Sequence, residues 1–152
     1  MAKTLKLFQL PKDESILCAP NSQIPFPFSK DIKDLIEAMK ATVKAAPGIG
    51  LAAPQVGKNL MLAVINLEEF GVEPFAIINP RIISKSIKKT EMEEGCLSIP
   101  GYFALVRRPA KVEVEFFRED GRLLRMSAEK LLAKVFQHEI DHLSGVLINQ
   151  KN

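Results

Sequence analysis

An α+β fold with mostly antiparallel sheet is what this sequence predicts, on three observations. Apolar residues recur at helical spacing in two separate stretches, one opening at Ser29 and one spanning about Ala128 to Leu143. Between them lie short runs with the composition and alternation of strands. The order is helix, then strands, then helix, without the strand–helix–strand alternation that builds a parallel sheet. A chain of 152 residues suits one domain, residues 1–152, around one continuous core.

Residues 1–28 carry Pro11, Pro20, Pro25 and Pro27 and read as a segment laid over the surface, with one short extended or helical piece. From Ser29 the pattern turns helical. Ile32, Leu35, Ile36, Met39 and Val43 share one face, Ser29 is placed to cap and Asp31 sits in the first turn, while Pro47 and Gly48 end the helix. LMLAVINL (60–67) is short, apolar and branched enough for a buried strand, and PFAIINPRII (74–83) is a second strand interrupted or ended at Pro80. KVEVEFF (111–117) alternates strictly and faces RLLRM (122–126) across Glu119-Asp120-Gly121, a hairpin signature. The last helix has Ser127 as its expected cap, Glu129 in its first turn and Gly145 just past its end.

With 47% apolar and 26% charged residues, the balance is that of an ordinary globular domain. No apolar stretch reaches the roughly 18 residues of a membrane helix. The N-terminal apolar run is too short for a signal-peptide core, and the first arginine is Arg81, unlike an Arg-rich transit peptide, so a cytoplasmic protein is expected. A net charge of +3, with small clusters at Lys88-Lys89 and Arg107-Arg108, reads as solvated surface and does not predict sequence-specific nucleic-acid binding. In a reducing compartment the two cysteines, Cys18 and Cys96, are better candidates for ligands or catalytic groups than for a disulfide.

Chemistry concentrates in QHEIDH (137–142). The chain's only two histidines, His138 and His142, stand four apart on one helical face with Glu139 between them, the spacing that grips a single ion. A third ligand downstream, as in zinc proteases, is excluded for side chains, because LSGVLINQKN contains no His, Cys, Asp or Glu. The third ligand therefore lies upstream and is a cysteine or a carboxylate. Cys18 sits in the Pro-rich segment with no chemistry around it. Cys96 sits in EEGCLSIP, a polar break before an apolar run, where a thiolate can be offered to a metal. Two histidines, one cysteine and a free position describe a catalytic site and not a closed structural one. On the helix, Leu131 and Val135 fall on the ligand face, as the lining of an apolar pocket or as plain core. Met92 and Ile49 are further candidates for the pocket.

GIGLAAPQ (48–55), EGCLS (94–98) and QHEIDH (137–142) together resemble the three signature segments of the peptide deformylase family, in order and in approximate spacing. The resemblance spans roughly residues 30–148. It implies antiparallel sheets packed around a central helix that carries both histidines. It further implies a metal-dependent hydrolase that removes the formyl group from the initiator methionine of nascent polypeptides and releases formate. The implied ligands are Cys96, His138 and His142, and the implied ion is Fe2+, which Zn2+, Ni2+ or Co2+ can replace; residue types alone do not name the metal. Glu139 would move the proton, while Gln55 and the Leu97 N–H would hold the developing oxyanion. Ile49 and Gly50 would face the substrate main chain, with Gly95 on the other side. The partner implied is an N-formylmethionyl nascent peptide, met near the ribosome exit. Asp141 and Arg108 are candidates to orient the ligands. The sequence departs from the family in its opening, PKDESILCAPN, in ending soon after Gly145 without the terminal helix of one subgroup, and at the pocket-rim residues Lys134 and Phe103.

Overall fold

The structure is a computed structural model that describes residues 2–151, so Met1 and Asn152 of the expected 1–152 domain lie outside the described residues. In chain order the elements are α1 (Glu14–Leu17), α2 (Lys30–Ala45), β1 (Gly50–Ala52), β2 (Leu62–Ile65), β3 (Phe75–Lys85), β4 (Lys89–Cys96), β5 (Ile99–Pro109), β6 (Lys111–Phe117), β7 (Leu123–Glu129) and α3 (Lys130–Leu143). Five strands form one sheet in the order β1-β2-β3-β6-β7, and β4 pairs with β5 in a second, two-stranded sheet. Every pairing between these strands is antiparallel, as the element order predicts, and an isolated bridge from Ser22 to Leu60 is parallel.

The short run of β2 is apolar at every position because both of its faces are covered. Leu62 and Val64 point into a cluster with Ile36, Met39 and Val43 of α2. Ala63 and Ile65 point the other way, to Ala133, Val135 and Phe136 of α3. The two helices thus take opposite faces of the same strands. Ser29 caps α2 as expected, its hydroxyl accepting from the Ile32 N–H at 3.3 Å. Strand β3 does not end at Pro80 but is interrupted there, with Asn79 at φ 50° and a register shift between Ile78 and Arg81.

Two expectations change. The last helix starts at Lys130 and not near Ala128, because Ser127, Ala128 and Glu129 stay in the ladder opposite Glu113, Val112 and Lys111. Strand pairing supplies those backbone groups with partners that a frayed helical turn lacks, and Lys130, at φ 56°, makes the corner. The N-terminal segment is also more than a surface drape. Leu17, Ile24 and Phe28 are buried, and Asn79 holds the Ile24 backbone with two bonds, at 2.8 and 2.9 Å.

Phe136 is fully buried on α3, its ring centroid 6.0 Å from that of Phe116 on β6. Removing it hollows the contact that seats α3 on the sheet. Phe136→Ala is expected to destabilise the protein by about 3–5 kcal/mol in denaturant unfolding; a loss under about 1 kcal/mol would show that α3 is seated by other contacts.

Candidate metal centre and active-site cleft

Strand β4 delivers Cys96 to the turn Leu97-Ser98, and α3 delivers His138 and His142 one turn apart. One ligand atom from each of the three lies within 4.8 Å of the others, a group able to hold a metal ion. Cys96 Sγ is 3.3 Å from His142 Nε2. No aspartate or glutamate belongs to this group; of the two upstream donor types that the sequence leaves open, the one that stands beside the histidines is the cysteine.

The histidines are prepared differently. Glu94, two residues before Cys96 on β4 and therefore on the same strand face, accepts from His138 Nδ1 at 2.9 Å and leaves Nε2 toward the site. Burial opposes charge on Glu94, but bonds from Arg108 and His138 overcome it and hold its carboxyl at about 2. Burial also opposes charge on His138; the Cys96 sulfur and Glu94 outweigh it and raise the imidazole to about 10. His142 goes the opposite way. Burial first, then His138 and Arg108, push it well below the ordinary histidine range. Its Nδ1 and Glu139 Oε1 are buried side-chain atoms without a hydrogen-bond partner among the described residues. Such atoms are rare in folded proteins and concentrate where chemistry is done. The donor set, with one carboxylate oxygen left free beside it, fits a bound cation.

Glu139 lies 3.9 Å from His138 Nε2 through Oε2. Burial, partly offset by His138, raises its carboxyl to about 7, so it can take and return a proton near neutrality. Gly50 on β1 makes room for it. A methyl group there would stand 2.5 Å from Glu139 Oε2, which explains why the residue opposite the carboxylate has no side chain.

A cleft of about 570 Å³ opens onto the centre. It is lined by nine of the residues singled out in the sequence: Ile49, Gly50, Gln55, Gly95, Cys96, Leu97, Val135, His138 and Glu139. The rim residues Phe103 and Lys134 line it too, Phe103 lying across Gly95 and Lys134 bonded to the Glu93 carbonyl at 2.9 Å. His142 sits behind, almost wholly buried. Two expected lining residues are elsewhere. Met92 is four residues back along β4 from Cys96, about 13 Å of strand, and lines a separate crevice with Val106 and Arg108. Leu131 is two helical turns from His138 and packs into the core that α3 shares with the sheet.

Glu94 itself was missed, although it lies within the quoted EGCLS. Asp141 does not touch a histidine as expected. It accepts from Arg108 Nη1 at 2.7 Å, and Arg108 in turn makes two bonds to Glu94, at 2.6 and 2.9 Å. The chain Asp141–Arg108–Glu94–His138 runs from the helix through the small sheet and back to the helix. Also missed was the N-terminal segment, whose Leu7 and Gln9 line the cleft.

An α+β chain with a Cys/His/His group able to hold an ion, a buried glutamate beside it and a cleft in front offers the parts that a metal-site hydrolase uses, with fewer donors than a closed structural site. Comparison with known proteins agrees. The profile of the polypeptide deformylase family matches residues 4–151. A peptide deformylase of Mesorhizobium japonicum is 49% identical over 118 residues, which cover 76% of this chain and 67% of that protein. The crystal structure of a peptide deformylase from Legionella pneumophila is similar with a TM-score of 0.91 at 37% identity, over 98% of this chain and 86% of that one. The Met-Ala-Ser-bound class I type b peptide deformylase of Acinetobacter baumannii gives 0.91 at 27% identity, over 100% of both chains. The chain belongs to the peptide deformylase family, a family of enzymes. Among the described residues no helix is long and apolar enough to cross a membrane.

Arg108 and Glu94 are both almost fully buried. Arg108→Met leaves Glu94 charged without its main partner and is expected to cost about 3–5 kcal/mol in denaturant unfolding, whereas Arg108→Met with Glu94→Leu should recover much of that loss. Equal destabilisation in single and double variants would contradict the pairing.

Proposed function

We propose that this chain is a metal-dependent peptide deformylase, hydrolysing the formamide bond of N-formylmethionyl nascent peptides to formate and a free N-terminus. The observation that carries the proposal is the convergence of Cys96 and His138 beside the buried Glu139 in one cleft, with His142 directly behind them. Residues 1–152 act as a single catalytic domain, with α3 as its central helix bearing the metal motif. Fe2+ is the proposed ion, with Zn2+, Ni2+ or Co2+ as substitutes, held by Cys96, His138 and His142.

When bound, the metal supplies Lewis acidity that makes an attacking water reactive at neutral pH. Glu139 takes a proton from that water as the water oxygen joins the formyl carbon. The Gln55 amide and the Leu97 N–H hold the carbonyl oxygen while it carries negative charge. Glu139 then passes the proton to the methionine nitrogen, the C–N bond breaks, and formate leaves with the oxygen gained from water. The raised carboxyl of Glu139, at about 7, suits a group that must both accept and release.

The formyl-Met residue is held by backbone on both sides. Gly50 lies on β1, whose outer edge is the end of the five-stranded sheet, so an extended peptide can add there as a further strand. Ile49, itself more than one-third exposed, and Gly95 flank it, and Val135 contributes the apolar floor for the methionine side chain. The Acinetobacter baumannii neighbour's bound Met-Ala-Ser supports a peptide of this kind. The proposed setting is the cytoplasm, near the ribosome exit where such chains emerge.

The test is formate release from formyl-Met-Ala-Ser by protein purified without oxygen and reconstituted with Fe2+ or Ni2+. Rapid turnover is expected, with a loss of about 10³-fold or more in Glu139→Gln at unchanged metal content. Absence of turnover with one equivalent of metal bound would overturn the proposal and point to a different N-acyl amide.

A further inference from the structure

The Gln55 side chain is almost fully buried, and its amide is held at both ends. The Ala52 N–H donates to Gln55 Oε1 at 2.9 Å. Gln55 Nε2 donates to Ser98 Oγ at 3.1 Å and also faces the Cys96 sulfur at 3.7 Å. The two ends of an amide have nearly the same shape, so the neighbours decide which one enters the site.

The decision traces back to the N-terminal segment. A serine hydroxyl has a single proton. Ser98, fully buried, gives it to the Phe8 carbonyl at 2.7 Å, and a carbonyl can only accept. Ser98 Oγ therefore meets Gln55 as an acceptor and takes only the NH2 end, while the Ala52 N–H takes only the oxygen. A reversed amide would set donor against donor at Ala52 and acceptor against acceptor at Ser98. Phe8 is itself fixed, because its N–H donates to the Gln55 main-chain carbonyl at 2.8 Å and the Leu10 N–H donates to the Ser98 carbonyl at 2.9 Å. Residues 8–10 thus lace the Gln55 and Ser98 loops together, through backbone groups of Phe8 and Leu10 and through the Gln9 side chain, which donates to the Leu97 carbonyl at 3.3 Å.

We infer that Ser98, oriented by the Phe8 carbonyl, is a positioning residue that keeps the NH2 end of Gln55 at the site, its other Nε2 proton held on the Cys96 side, where it can turn to the oxygen of the scissile carbonyl. The inference rests on the oxyanion role given to Gln55 above. It makes the N-terminal segment part of the catalytic apparatus without contact to the reacting atoms.

The experiment compares metal-loaded wild type, Ser98→Ala, Ser98→Thr, Gln55→Ala and the Ser98→Ala/Gln55→Ala double variant on formyl-Met-Ala-Ser. Alongside, the Gln55 side-chain NH2 signals are followed by 15N NMR. Ser98→Ala is expected to lower kcat about tenfold with KM within about twofold, and to shift the Gln55 NH2 pair and speed its deuterium exchange. Ser98→Thr, which keeps the hydroxyl, should restore kcat to within about threefold and return the NMR signature. In the Gln55→Ala background the Ser98 change should cost nothing further. Should Ser98→Ala not fold, Ser98→Cys takes its place with the same expected loss. Wild-type kcat with unmoved Gln55 signals in Ser98→Ala would overturn the inference, as would an equal loss in the Gln55→Ala background. If the wild type releases no formate, the proposed function fails, and the NMR comparison still decides whether Ser98 positions the amide.

Discussion

Arg108 carries a full positive charge into the interior, and the arrangement of the centre depends on how that charge is satisfied. An isolated buried guanidinium is prohibitively costly, so its partners must be close and well directed. Glu94 takes two of its N–H groups and Asp141 a third. Glu94 belongs to the small β4–β5 sheet, whereas Asp141 belongs to α3. The one cation therefore pins the element that carries Cys96 to the element that carries both histidines. Glu94 also accepts from His138, so the network that neutralises Arg108 orients the ring of a proposed ligand.

The rest of the fold works to keep α3 still. Its inner face is packed on the sheet through Val135 and Phe136, while α2 closes the opposite face of β2. Strand β1 then passes close enough to Glu139 that only glycine fits at position 50. Helix, small sheet and edge strand each bring a different part of the site, and each is fixed by burial rather than by a mobile loop.

Much of this was readable in the sequence, for physical reasons that also mark where reading stops. The two amphipathic helices, the apolar run of β2 and the alternating β6–β7 hairpin announce themselves through periodicity, which is a local property. The pair of histidines at helical spacing is local as well, and with no third histidine in the chain and no ligating side chain after His142 it narrowed the third donor to an upstream cysteine or carboxylate. Glu94 was not legible, because its importance comes from a partner fourteen residues away across a strand pair. The face that it shares with Cys96 on β4 was the available clue. Met92 and Leu131 show the opposite error. Each lies on the correct face of its element but too far along it, and sequence spacing fixes direction more firmly than reach. The N-terminal segment escaped altogether, since its links to Gln55 and Ser98 run through main-chain groups that no residue type announces.

The measurement that bears most directly on the centre is X-ray absorption at the metal edge of protein loaded with one equivalent of Zn2+ or Co2+. A shell of one sulfur at about 2.3 Å and two imidazole nitrogens at about 2.0 Å, with a further light atom, is expected, and the sulfur should vanish in Cys96→Ser. A shell of nitrogen and oxygen alone in the unaltered protein would contradict the assignment of Cys96, His138 and His142 as the ligands.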